Sequence, residues 1–216
     1  LLEHTATTKI SDDEDADLAV DNVIKSWGNW APVCPDQFLM KILHVRGYDL
    51  STIEPREFRR KPTKKQLEDY SIEILDAIRN SDVETIRSLH ASGVSMDACN
   101  LYSESLLHRA ARRGSFEIVD LLLKCGADID IVDDYGRTPL HDACWRIETD
   151  FNIITLLLDK KLDMLRTADI RGSCPLSYVR NDQWLRWCAF FFYKKEIYWK
   201  PTDAALSGIV GLDSIN

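Results

Sequence analysis

The chain of 216 residues is long enough for one or two domains, is 45% apolar, and carries a formal charge of −8. That acidic balance weighs against a general nucleic-acid surface, and no apolar run approaches the roughly 18 residues that a membrane-spanning helix needs. The six cysteines, at 34, 99, 125, 144, 174 and 188, are scattered without close pairs, so packed, reduced thiols are expected rather than a metal site or a disulfide framework.

Reduced thiols point to a cytoplasmic or nuclear protein, with an organelle stroma open as well. Leu1 is not a methionine, which leaves room for a removed targeting peptide. Residues 1–24 are polar and acidic, with Asp12-Asp13-Glu14-Asp15, Asp17 and Asp21, and read as a solvated arm. The apolar spacing of Leu18, Val23, Ile24 and Trp27 predicts one or two helical turns, broken by Pro32 and Pro35. A helix follows from Asp36, which can cap it, to Gly47, which suits the left-handed position after its end.

Residues 48–63 read as irregular. Within them starts a basic stretch, Arg56 to Lys65, with six cations and one acid. Two readings stand: a nuclear-import signal, or a linker laid against acidic surface. The extension as a whole is expected to span 1–65.

From residue 66 to about 180 the chain repeats itself. Leu107-His108-Arg109-Ala110-Ala111 and the helical run to Leu123 are followed by Gly126-Ala127-Asp128. Thirty-three residues on stands Thr138-Pro139-Leu140-His141-Asp142-Ala143-Cys144, and thirty-three before stand Ala77, Glu84 and Gly93. This pattern resembles the ankyrin repeat, and the period makes the resemblance specific.

The resemblance implies an all-α solenoid of about four helix-turn-helix repeats, each a tight turn, two antiparallel helices and a loop back. Repeats two and three match best. Repeat one lacks the threonine-proline-leucine-histidine signature and a polar outer face. Repeat three carries two extra residues between its helices, and Lys161 stands where repeat two has Gly126. Repeat four keeps Gly172, Pro175 and Leu176 but has Ser177 for the histidine, with its second helix expected at about 182–195.

Gly136 and Gly172 suit positive φ, whereas Ser103 replaces that glycine in repeat two. Ser105 and Thr138 are placed to cap first helices, the latter ahead of Pro139. The resemblance also implies that His108 and His141 bridge backbone groups between adjacent turns, which leaves no catalytic residue, cofactor or metal ligand set to name.

Its implied function is protein recognition by an adaptor, scaffold or regulatory subunit, monomeric alone or part of a hetero-complex. The alternative is a permanent structural subunit of a larger assembly. Carried over by position, the partner surface comprises Leu101, Tyr102, Glu104, Arg109, Arg112 and Arg113 in repeat two. Repeat three adds Asp134, Tyr135, Arg137, Asp142, Trp145 and Arg146, and repeat four adds Ile170 and Arg171. The arginines favour an acidic partner segment.

Residues 181–216 are expected to form a capping helix and a tail. Eight of the 20 aromatic residues fall between Trp184 and Trp199, too many for one helical face, so this helix needs cover on more than one side. Either the N-terminal extension supplies it through Trp27 and Trp30, or a partner does; if the two extensions do not meet, each caps its own end.

Overall fold

The computed structural model describes residues 15–28, 31–48, 61–203 and 205. The acidic run at 12–14, Trp30, the first half of the basic stretch (56–60) and the tail beyond 205 lie outside those residues.

Ten α-helices form the described chain: α1 (Ala16–Trp27), α2 (Pro35–Val45), α3 (Lys64–Asp69), α4 (Ile72–Asn80), α5 (Val83–Ala91), α6 (Leu106–Arg113), α7 (Phe116–Lys124), α8 (Pro139–Cys144), α9 (Phe151–Lys160) and α10 (Trp184–Tyr198). No strand occurs among the described residues; an isolated bridge joins Cys99 to Ser105. Three helix pairs, α4–α5, α6–α7 and α8–α9, stack side by side into an all-α solenoid.

The first helices pack closely because Ala77, Ala110, Ala111 and Ala143 are small and buried at their contacts. The second helices bury more bulk: Ile118, Val119, Leu121 and Leu122 in α7, then Ile153, Ile154, Leu157 and Leu158 in α9. One apolar cluster runs continuously from Ala16 to Trp199. No repeat has a core to itself, as stacked repeats require.

Ser105 caps α6, its hydroxyl accepting from the His108 amide at 3.3 Å. At α8 the expectation differs in detail. The His141 amide donates to the Thr138 carbonyl at 3.0 Å, and the Thr138 hydroxyl meets the His141 ring instead.

In the fourth repeat the first helix shrinks to a 3-10 turn, Pro175–Tyr178, that packs on α8. Val179 and Arg180 are extended, which ends that turn before α10 begins.

The N-terminal helices lie at the far end of the stack. α1 packs on α9 and α10, and α2 on α10 and the Pro175–Tyr178 turn. α1 runs longer than the sequence suggests because Asp15, placed by its sequence in a solvated arm, caps it through the amides of Asp17 and Leu18 at 2.9 and 3.1 Å. α2 starts at Pro35, with Cys34 rather than Asp36 at the cap position and no side-chain cap. Gly47 is left-handed at φ 78°, and a Cβ there would collide with Thr202. At the other end, repeat one turns Glu73, Arg79, Glu84 and Arg87 to solvent and so supplies its own polar cap, contrary to the sequence-based expectation.

Candidate recognition surface

Three turns project from the stack, each built the same way. In each, one Asn or Asp side chain takes up two amides of its own turn. Asn100 Oδ1 accepts from the amides of Tyr102 and Glu104 at 2.9 and 3.1 Å. Asp133 Oδ1 accepts from Tyr135 and Arg137 at 3.0 and 2.8 Å, and Asp169 Oδ1 from Arg171 and Ser173 at 2.8 and 2.9 Å. The third residue on is Ser103, Gly136 or Gly172, each at positive φ.

The turns are then joined to one another. The Asp134 amide donates to the Tyr102 carbonyl and the Ile170 amide to the Tyr135 carbonyl, both at 2.9 Å. Behind this ladder, His108 Nε2 meets the Arg137 carbonyl at 2.8 Å and His141 Nε2 the Ser173 carbonyl at 3.2 Å. Each Nδ1 faces the preceding cap residue's amide, that of Ser105 at 3.2 Å or Thr138 at 3.0 Å. A carbonyl on one nitrogen and an amide donor on the other assign the neutral Nε2–H tautomer to both rings. Burial pushes His141 down to about 4, consistent with that assignment.

The rigid ladder carries exposed apolar side chains at its tips: Leu101, Tyr102, Tyr135 and Ile170. Arg137 and Arg171 lie over the Tyr135 ring, 5.2 and 5.6 Å from its centroid. Asp134 and Arg109 are partly exposed, and Arg113 is exposed at the end of α6.

Several expected contact residues are already engaged. Arg112 pairs with Glu104, and Arg109 approaches the same carboxylate at 3.9 Å. Arg137 holds Asp133 through Nε at 2.7 Å. Arg146 spends its guanidinium on backbone, donating to the carbonyls of Ala111 and Gly114 at 3.2 and 3.1 Å.

Asp142 departs furthest from expectation. Its repeat position places it on an exposed helix face, yet it is 1% exposed. Arg112 stands 3.6 Å away, and neither carboxylate oxygen has a hydrogen-bond partner among the described residues. Burial raises its pKa. α8 turns this residue toward α6, which carries Arg112.

Sequence reasoning missed Asn100, Asp133 and Asp169. Their signal was present: an Asn or Asp three residues before each Ser103, Gly136 and Gly172. It also missed Ile147, which is 73% exposed beside Trp145.

No group of three or more His, Cys, Asp or Glu side chains that could hold a metal occurs among the described residues, and no described helix is long and apolar enough to cross a membrane. All six cysteines are free thiols.

The family model for ankyrin repeats, in three copies, matches residues 74–168. Among curated proteins, the chain is 40% identical over 97 residues to protein phosphatase 1 regulatory subunit 27 of Mus musculus, which covers 42% of this chain and 60% of that protein. It is 31% identical over 107 residues to NF-kappa-B inhibitor alpha of Gallus gallus, covering 46% of this chain and 34% of that one. A third relative, serine/threonine-protein kinase 12 of Arabidopsis thaliana, is 27% identical over 105 residues, covering 49% of this chain and 20% of the kinase. The chain thus spans at most 60% of the length of these relatives.

Proposed function

We propose that this chain, which belongs to the ankyrin-repeat family through residues 74–168, is a non-catalytic regulatory or adaptor subunit that grips a partner protein with its turn tips and first helices. Ankyrin repeats are protein-binding structures, and that much follows from the family. The partner is not carried over from any relative, because a repeat stack of this kind sits in proteins as different as a phosphatase subunit and a kinase.

The observation that carries the reading is the ladder of hydrogen-bonded turns holding Leu101, Tyr102, Tyr135 and Ile170 exposed in a row. Preorganised aromatic and aliphatic side chains lose little freedom on binding, and Tyr and Arg are common anchors. Arg113 and Arg171 supply accessible cations on a chain whose net charge is −8, which supports an acidic partner segment. Free thiols support a reducing compartment, the cytoplasm or nucleus.

A permanent structural subunit would keep its extensions for other chains. Here α1, α2 and α10 cover one another, which favours a module that is folded and monomeric alone. The test is a binding measurement on the partner recovered by affinity purification. Tyr135→Ala and Arg171→Glu should each weaken binding with an unchanged unfolding midpoint, and Lys124→Glu, on the exposed side of α7, should not. Equal loss with Lys124→Glu would assign recognition to another face.

A further inference from the structure

Three hydroxyls in this chain follow an arginine by three residues: Thr63 after Arg60, Ser115 after Arg112 and Thr149 after Arg146. That spacing suits a protein kinase with an acidic substrate cleft, whose carboxylates pair with a cation ahead of the accepting hydroxyl. By sequence, Ser115 behind Arg112-Arg113 and Thr63 behind Arg59-Arg60-Lys61 stand level. The fold separates them. Phosphoryl transfer depends on positioning, so the hydroxyl must reach the γ-phosphorus of ATP while its flanks lie along the kinase cleft.

Two of the three are closed. Thr149 is 5% exposed, and its hydroxyl accepts from Trp187 Nε1 at 3.1 Å. The Ser115 hydroxyl oxygen is buried in the turn between α6 and α7. The residues before it are held as well. Arg112 pairs with Glu104 and stands 3.6 Å from the buried Asp142, and the Gly114 carbonyl accepts from Arg146 at 3.1 Å. Presenting Ser115 would mean opening the α6–α7 pair in the middle of the stack, where Ile118 and Leu122 are fully buried.

Thr63 is open. It is exposed, as are Lys61, Lys64 and Lys65, and residues 61–63 carry no helix, as Pro62 favours for the residue before it. Its own backbone is extended, at φ −76° and ψ 158°. α3, which follows, is six residues long and buries none of them, so unwinding its first turn costs little. The Thr63 hydroxyl is tied within that turn, donating to Gln66 Oε1 at 3.1 Å and accepting from the Gln66 amide at 3.2 Å. Lys64 and Lys65 pair with Glu68 and Asp69 one turn on. The charge for a kinase to read therefore lies upstream, at Lys61 and, in sequence, at Arg59 and Arg60.

We propose that Thr63 is a phosphorylation site for a kinase with an acidic substrate cleft, and that folding of the stack withholds Ser115. The Thr63 oxygen forms a bond to the γ-phosphorus of ATP as the bond from that phosphorus to the ADP oxygen breaks, and the hydroxyl proton passes to the kinase's catalytic aspartate. The product adds about two negative charges to a stretch of six cations and one acid, and so weakens the hold of that stretch on acidic surfaces.

The experiment incubates the folded full chain with ATP, Mg2+ and either cyclic-AMP-dependent protein kinase or protein kinase C, and maps phosphate by peptide mass spectrometry. At least one of the two should place it on Thr63. Thr63→Ala and Arg60→Glu should each cut the initial rate about tenfold or more, while Thr63→Ser and Ser115→Ala keep it within about twofold. A synthetic peptide of residues 109–120, taken out of the fold, should accept phosphate at Ser115. Phosphate on Ser115 of the folded chain, or a Thr63 left unmodified by both kinases, would overturn the proposal. An inert 109–120 peptide would overturn the role given to folding.

Discussion

The Trp27 indole meets the Phe192 ring edge-on at a centroid distance of 5.4 Å, and those two residues come from opposite ends of the chain. Trp27 also packs on Phe38, so α1, α2 and α10 share one aromatic seam. On its other side α10 faces repeat three, where Phe151 stacks on Phe190 at 4.9 Å and meets Trp187 at 5.4 Å. Residues 190–193 point in every direction around the helix, as any four successive helical residues do, and packing on both sides is what buries Phe190, Phe191 and Tyr193. The N-terminal extension therefore caps the end of the stack farthest from the repeat that follows it in sequence.

Removing residues 1–47 should strip the cover from Phe192 and Cys188. The truncated chain is expected to bind more of a hydrophobic dye, to lose solubility and to melt at lower temperature. Trp27→Ala should reproduce part of this, with a loss of about 2–4 kcal/mol in urea unfolding. Unchanged dye binding and an unchanged melting point in the truncated chain would show that α10 does not depend on the extension.

The solenoid was readable from the sequence because its spacing is long-range self-similarity, which turn residues and small helix-contact residues both report. Gly136, Pro139 and Ala143 announce a turn, a helix start and a close contact with no tertiary knowledge. The seat of the extension was not readable in the same way. Asp17 reads as one more acid in a solvated arm, yet its carboxylate accepts from the Phe151 amide at 3.1 Å and from Arg186 at 2.5 Å. Nothing local encodes a partner 134 residues away. Asp142 failed for a related reason: helix position gave its direction, while its burial depends on the neighbouring repeat, whose α6 presents Arg112 to it.

His108 and His141 should prove structural. Replacing either with Ala removes two buried hydrogen bonds and is expected to cost about 1–3 kcal/mol. His141 adds a pH signature. Burial lowers it from 6.5 to about 4, so the unfolded chain binds a proton between those values that the folded chain refuses. Stability from the neutral ring is complete above pH 6.5 and declines as the pH falls toward 4, by about 3 kcal/mol over the whole passage. Asp142, raised by burial, acts in the opposite sense, gaining stability as the pH falls through its folded-state value. His141→Asn isolates the first effect: its deficit relative to the parent chain should be largest at neutral pH and shrink on acidification. A deficit independent of pH would contradict the neutral, buried assignment.

Gly136 and Ser103 occupy the same place in successive turns and should respond to substitution with opposite signs. At φ 74°, Gly136→Ala forces a side chain into the left-handed region, and its Cβ would stand 3.4 Å from the Ile170 amide that bonds Tyr135. A loss of about 1–2 kcal/mol is expected. Ser103 already bears that strain at φ 59°, so Ser103→Gly should raise stability by about 0.5 kcal/mol, relief of strain being partly offset by a freer unfolded chain. Unfolding midpoints moving the same way in both variants would refute the shared turn geometry.

Arg46 fastens the end of α2 to the end of α10. Its Nη1 donates to the Trp199 carbonyl at 2.7 Å and the Lys195 carbonyl at 3.1 Å, while Nη2 meets Glu196 Oε1 at 2.5 Å. Those carbonyls are at the end of α10, where the dipole favours a cation; the Lys195 carbonyl also accepts from the Trp199 amide at 3.1 Å. The guanidinium side chain is only 12% exposed, so water does not readily replace it. Arg46→Ala is expected to cost about 2 kcal/mol, the worth of charge-assisted bonds to partly buried acceptors. Arg46→Lys should recover the charge but not the fork, and so fall between the two. Hydrogen exchange locates the effect: amides of α2 and the last turn of α10 should lose protection together, while those of α6 and α7 keep theirs. Protection lost uniformly across the stack would mean that the clamp holds the whole fold rather than the seam.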